Sequence, residues 1–540
     1  MFLLPFAFFI IFAFMAGGLF RVRAASLRIA LGLCVIYVHI FLFNLFSLNI
    51  DILLYILIFE FFVLSIYLSE DLKAFKSADR IFCLIITAFF SVLLFRHCYL
   101  NFSDSMYHFS SLRRMVHMNE FFNHSPFFGP EFSDIRYSYS FYVPFQAVNV
   151  MMLRMLPGSV EMPSAAIYSY MHIFLYIISS IAVYDVQKKY FGRFTALITV
   201  FFFSVFFSFV RAMDFSGYAF SLSAYPSAFS VYFIFPVLLF IIKEKKISSA
   251  VIFLIGLVAA GTHVFYWTAF LLISAFSFLY YRDIRKTVFF CLGGLPVVFI
   301  KIAGYEGVSN SFFGTAPDFS PFYNMFRWGN GITLPLSLFA LPILGFALLR
   351  RREPFMTTGL IIVSVTGFLA PFIAQHIIIN PHKFQRIYQF SPALFLIGVP
   401  LTFLLRKYRK IFLFIVISIF ITGCASLFLR AEKNTIYSFD PDIISVFQNF
   451  PQNKKVLADP ETSMLMSCFS YSWAVSIYPE YASPVVPDII DRQTAWEDYL
   501  RTFDNRFNAD YVIVPKGIKL SAPDSLVTDT GGKFWLLKIK

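Results

Sequence analysis

Charge is scarce in this chain. Of its 540 residues only 14% are Asp, Glu, Lys or Arg, against 59% hydrophobic residues and 75 phenylalanines. So little polar surface excludes a soluble fold of this length and points to a helical protein that crosses a membrane many times. Cysteine is sparse too: the six, at positions 34, 83, 98, 291, 424 and 468, fall at no spacing that builds a metal site or a disulfide framework. The net charge of +13 is nowhere gathered on one face as nucleic-acid binding requires, which excludes that class of partner. No sequence repeat of fixed period is present, although span and loop alternate regularly.

What is present is a series of apolar runs, each close to the ~20 residues a helix needs to cross a bilayer. About fourteen are found, near 2–20, 29–47, 50–69, 81–100, 165–184, 194–211, 227–242, 247–261, 264–281, 287–304, 332–349, 355–375, 387–405 and 411–429. The runs 227–242 and 247–261 are short for a crossing. The first run lacks a basic segment before it and is followed by Arg21, Arg23 and Arg28. It therefore reads as a retained helix with its N-terminus outside, not a cleaved signal. Seven short basic loops separate the runs: Arg21–Arg28, Lys73–Arg80, Lys188–Arg193, Lys243–Lys246, Arg282–Lys286, Arg350–Arg352 and Arg406–Lys410. Simple alternation puts all seven on one side, as the positive-inside rule demands. The intervening loops and everything after Arg430 then lie outside the cytoplasm.

The chain is organised around the outer stretch from Leu100 to Pro144, which contains no lysine. His108, His117 and His124 lie in it and His97 beside it, with Asp104, Glu120, Glu131 and Asp134 and the arginines 113, 114 and 136. Met106, Phe109, Leu112, Met115/Val116 and Met118/Phe122 recur at helical spacing. This predicts an amphipathic helix in the outer membrane interface, begun by Ser103 or Asp104, with Arg113, Arg114, His117 and Glu120 on its polar face. An aspartate there serves as an N-cap, and an ionisable group at the edge of hydrocarbon is also a functional candidate; a cap fixes a carboxylate, so the roles are compatible. His117, Glu120 and His124 would share one face of a helix that persisted that far, but Asn123-His124-Ser125-Pro126 reads as a helix end. A solvated polar face is expected there, not a metal site. Glu131, Asp134 and Arg136 then lead into a run beginning Tyr137-Ser138-Tyr139, which suits a sugar ring or an interfacial aromatic belt.

Other outer loops carry Tyr225-Pro226 at the mouth of a span, Thr262-His263 at the tip of a short helix pair, and QHIIINPHKFQRIYQ at 375–389. Lys383 and Arg386 in the last of these run against the charge rule. A phosphate at the membrane surface is the anion that suits them, and snorkelling to lipid headgroups the alternative. The tail, 431–540, changes character: short apolar runs at 455–458, 511–514 and 534–539 alternate with turns, and Thr494–Phe507 reads as helix. This predicts a separate extracytoplasmic α/β domain.

Taken together, Asp104…His108 opening an interfacial helix after an early span, Tyr225-Pro226, Thr262-His263, the loop motif Pro381-x-Lys383-x-x-Arg386 and the closing α/β domain resemble the GT-C superfamily of membrane glycosyltransferases. The resemblance covers most of the chain as architecture. It implies a GT-C-like α-helical polytopic membrane protein, 1–430 with a large outer loop at 101–164, plus the small tail domain. It also implies transfer of a sugar from a polyprenyl-phosphate donor to an acceptor hydroxyl of a glycan, lipid or protein, with inversion, at the outer face of a cytoplasmic membrane. Asp104 takes the role of general base. Lys383 and Arg386, with Arg136 in reserve, are candidates for the donor phosphate, and His108, Glu131, Asp134, Tyr137 and His263 for substrate contact. The outer loops between spans hold no adjacent pair of carboxylates, so a mechanism without metal or other cofactor is expected. The competing readings are a lipid-linked glycan polymerase, and a lipid or glycan transporter; the latter calls for mid-membrane charges and an inverted repeat.

Overall fold

The computed structural model describes residues 3–68, 104–121, 127–128, 141–157, 163–201, 226–303, 398–414, 417–418, 421, 446–478, 488–517, 526–529 and 534–539. The expected runs 81–100, 332–349 and 355–375 lie outside them, as do parts of 194–211, 387–405 and 411–429; the described part of each remaining run is mainly helical. Among the described residues three helices are long and apolar enough to cross a membrane by length and composition: Ala25–Leu45, Ile50–Tyr67 and Pro163–Phe191. Around them pack Leu4–Gly18, Ser249–Thr262, Val264–Tyr281 and Ile284–Ala303. Ser249–Thr262 has 14 residues, a rise of about 21 Å, short of a ~30 Å hydrocarbon core. Ser248 caps its start by accepting a hydrogen bond from Val251 N at 3.3 Å.

Small residues set the closest helix crossings. Gly256 lies against the Phe290 backbone and Gly293 against that of Phe253, so two helices meet with no side chain between them. The helix from Pro226 contains a π-helical turn, Ser230–Ile234, immediately before Phe235–Lys243. Pro236 explains it: proline lacks an N–H and clashes with the carbonyl four residues back, at Tyr232, and the widened turn relieves both.

Five of the seven basic loops are described, and their contacts gather them at one end of the bundle. Ser26 donates from N and Oγ to Asp185 Oδ2 at 2.9 and 2.8 Å, tying the first loop to the end of Pro163–Phe191. Lys189 pairs with Glu244, Lys243 lies 4.4 Å from the Tyr190 ring centroid, and Lys286 donates to Ile242 O at 2.8 Å. Thr402 Oγ1 reaches Thr195 Oγ1 at 3.3 Å, which brings the 406–410 loop beside the 188–193 loop.

The tail forms a five-stranded mixed sheet in the order β2-β1-β3-β5-β4, from β1 (Lys455–Leu457), β2 (Trp473–Ala474), β3 (Tyr511–Pro515), β4 (Leu526–Asp529) and β5 (Phe534–Lys538). β1 runs parallel to β2 and β3; β5 is antiparallel to β3 and β4. Side chains alternate across the sheet. Val512, Val514 and Leu537 pack with Ala495 and Tyr499 of the helix Ile489–Thr502, whereas Val456, Ile513 and Leu536 join the large core shared with the membrane helices. That second face is what fixes the tail to the rest of the protein.

Candidate active site

The outer stretch does begin with a helix, Asp104–Met118, and Asp104 is its first residue. It ends because Asn119 takes a left-handed backbone, φ 56°. Asn119 then ties the helix to the start of Ile50–Leu68: its Nδ2 donates to Asp51 Oδ2 at 2.8 Å, its Oδ1 accepts from Asp51 N at 3.2 Å, and its carbonyl accepts from Ile50 N at 3.0 Å. Glu120 is therefore past the helix, so no face shared by His117, Glu120 and His124 forms; His124 lies outside the described residues. Among the described residues no three His, Cys, Asp or Glu side chains gather as a metal site.

One side of this helix packs on the bundle. Phe109 meets Tyr168 at 5.4 Å between ring centroids, and the exposed Arg154 donates to Val116 O at 3.2 Å. Beneath it lies a second helix, Tyr142–Met155, buried along most of its length with Gln146 and Asn149 fully enclosed. The Tyr-rich run thus leads into a buried helix, an element absent from the sequence reading. Phe145 touches Phe9 and Phe174; Phe141 touches Tyr37 and Phe229. Gly261 lies against the same Tyr37 ring. The tip carrying Thr262 and His263 therefore belongs to the floor on which the end of the outer stretch rests. His263 itself is the extended residue between two helices, buried, with its ring edge-on to Tyr266 at 4.6 Å.

The other side of the helix packs on the tail, and here the expected polar face is corrected. Ser110, Ser111 and Arg114 are buried, Arg114 with 1% of its surface exposed. Arg114 Nη1 donates to Tyr471 O at 2.8 Å and Nη2 to Ser472 O, while its guanidinium lies 3.8 Å from the Trp473 ring centroid. Arg113 donates to Cys468 O and lies 4.8 Å from the Tyr471 ring centroid. Cys468, a free thiol, contacts Ser110 Oγ at 3.4 Å and donates to Met106 O at 3.6 Å. Ala474 N donates to Phe127 O at 2.7 Å, a second link from β2 to the outer stretch. Burial, then the neighbouring Arg113, lowers Arg114 to about 9, so it stays charged at neutral pH. Burial pushes the Cys468 thiol up to about 12, which leaves it protonated and unreactive.

Of the candidate site residues, the helix carries Asp104 and His108 one turn apart, and His108 is buried at 3% exposure. Arg136, Glu131, Asp134, Tyr137, Lys383 and Arg386 lie outside the described residues. Sequence reasoning overlooked the tail-facing stripe of Met106, Ser110 and Arg114, spaced four apart and so stacked along one side of the helix. Its signal was present, in a cation interleaved with small polar residues inside an apolar pattern.

No family model and no curated protein matches this chain. Among solved structures, it is similar to the oligosaccharyltransferase of Archaeoglobus fulgidus in its apo form, at 13% identity and TM-score 0.48 over 82% of this chain and 70% of that one. It is likewise similar to the archaeal oligosaccharyltransferase AglB from the same organism in complex with an inhibitory peptide and a dolichol-phosphate, at 14% identity and TM-score 0.49 over the same shares.

Proposed function

We propose that this chain is a membrane glycosyltransferase that moves a sugar from a polyprenyl-phosphate donor to an acceptor hydroxyl, with Asp104 as general base. The observation that carries the reading is that Asp104 heads a helix held between the bundle on one side and the tail domain on the other. A carboxylate on a rigid, two-sided support is what proton abstraction in one fixed geometry requires. The first turn of a helix also favours an anion, which suits a carboxylate placed there to accept a proton.

In the reaction the acceptor O–H attacks the anomeric carbon. The C–O bond to phosphate breaks, the electron pair leaves with polyprenyl phosphate, and the acceptor's proton passes to Asp104. One displacement without a covalent sugar inverts the configuration. The leaving phosphate needs fixed positive charge, which Lys383 and Arg386 supply, with Arg136 in reserve. The acceptor is a glycan, lipid or protein hydroxyl at the end of the bundle opposite the basic loops.

Asp104→Asn tests the role, because Asn caps a helix about as well as Asp but is no base at neutral pH. Thermal stability should hold while transfer falls by about 10²–10⁴. A stable variant with full transfer activity would show that Asp104 is only a cap, and would sink the reading.

A further inference from the structure

We propose that Arg113 and Arg114 are positioning residues that use the tail domain to set the register of the helix headed by Asp104. The inference rests on the reading of Asp104 as the base. A guanidinium as enclosed as Arg114 calls for acceptors, and among the described residues no carboxylate supplies one: its electrostatic neighbours are Arg113 and Tyr471, its Nε meets no acceptor, and only its two Nη groups are bonded. Its partners are instead two successive carbonyls, of Tyr471 and Ser472, and the face of Trp473. Arg113 takes the carbonyl of Cys468 from the same segment.

All three carbonyls lie at or just beyond the C-terminal end of the helix Pro460–Phe469. A helix C-terminus leaves carbonyls unpaired and carries partial negative charge, so Arg113 satisfies one of them at Cys468 O, while Arg114 takes carbonyls of the segment that follows, where Tyr471 O also accepts from Asn453 N at 3.1 Å. Adjacent residues on a helix point about 100° apart, and Arg113 and Arg114 therefore grip that terminus from two directions. Between this grip and Asp104, Cys468 bonds with Ser110 Oγ and the Met106 carbonyl. The tail thus follows the helix from residue 114 back to residue 106, two residues from Asp104.

An apolar interface tolerates small slides; a planar fork on two carbonyls and a ring does not, because a shift of about 1 Å loses the hydrogen bonds. The pair therefore fixes rotation and axial position together. That is the precision a general base needs, within about 2.6–3.2 Å of the proton it takes. The tail supplies no reacting group in this scheme, yet it determines where the base stands.

The test uses full-length protein in lipid nanodiscs and reads transfer kinetics and amide hydrogen exchange together. Arg114→Met should accelerate exchange over residues 106–118 by about ten- to a hundredfold, the weight of a charge-assisted hydrogen bond, with the Ala25–Leu45 helix unchanged. The turnover number kcat should fall by a similar factor, with the donor KM within about twofold. Arg114→Lys, which keeps charge without the fork, should fall between. Trp473→Leu leaves both carbonyls and is the milder variant should Arg114→Met fail to fold; it should shift both readouts in the same direction. Unchanged exchange or unchanged kcat in Arg114→Met would overturn the proposal, as would normal kcat in Trp473→Leu with exchange accelerated. The base reading fails separately, on a fully active Asp104→Asn.

Discussion

The imidazole of His117 stacks on the ring of Tyr471, with centroids 3.6 Å apart and planes 16° from parallel. It ties the end of the helix to the tail, and Arg113, Arg114 and Arg154 are the charged neighbours of the imidazole. Partial burial, then Arg114, Arg113 and Arg154, lowers its pKa below the ordinary 6.5. The docked helix therefore favours the neutral ring over the protonated one.

The sign follows from that depression. A histidine whose folded-state pKa is lowered contributes stability that is fully present above its unfolded value and is lost as pH falls through the folded one. Acidifying from about pH 8 to about pH 5 should thus loosen the tail through this group. His117→Phe keeps the stack without the proton. Measured as melting temperature against pH, the variant should show a shallower acid-side decline than the parent; identical slopes would remove His117 from the docking energetics.

The crossing at Gly256 and Gly293 gives a prediction about the bundle. A Cβ built at Gly256 would stand 2.2 Å from Phe290 O, and one at Gly293 would stand 2.0 Å from Phe253 O. Neither oxygen can move without its helix. Gly256→Ala and Gly293→Ala should each cost about 1–3 kcal/mol, the range for overpacking. Gly517→Ala, in the tail with nothing among the described residues within 4 Å of the new Cβ, is the control and should leave thermal stability near the parent's. Equal melting temperatures for all three variants would mean that the two helices separate freely.

Much of the bundle is legible in the sequence, because membrane helices are dictated by local hydropathy and by where the charges fall. Ser26 with Asp185, and Lys189 with Glu244, join basic loops that charge alone had already put on one side. The helix at Asp104 is legible for the same local reason, a recurrence of apolar residues. Arg114 is not. Its burial depends on carbonyls more than three hundred residues away, and no periodicity carries that information. The Tyr142–Met155 helix was hidden by an aromatic run that suits an interface as well as a core. Proline at 236 announces a break, and the structure meets it with the π-helical turn Ser230–Ile234.

The remaining prediction concerns the donor phosphate. Lys383 and Arg386 fall in a stretch of sequence where the charge rule disfavours cations, three residues apart in Pro381-His382-Lys383-Phe384-Gln385-Arg386. If they bind the leaving phosphate, each alanine variant loses one charge-assisted hydrogen bond, about 1.5–3 kcal/mol. That is roughly a ten- to hundredfold fall in kcat/KM for the lipid-linked donor. Arg386→Lys should recover only part of the loss at a bidentate site and nearly all of it at a point-charge site, so the pair of variants also reports the geometry. Snorkelling to lipid headgroups makes a different forecast: donor kinetics stay unchanged, while thermal stability in vesicles comes to depend on the fraction of anionic lipid. Full donor use in both alanine variants would reduce Lys383 and Arg386 to membrane anchors, and Arg136 would be the next cation to replace.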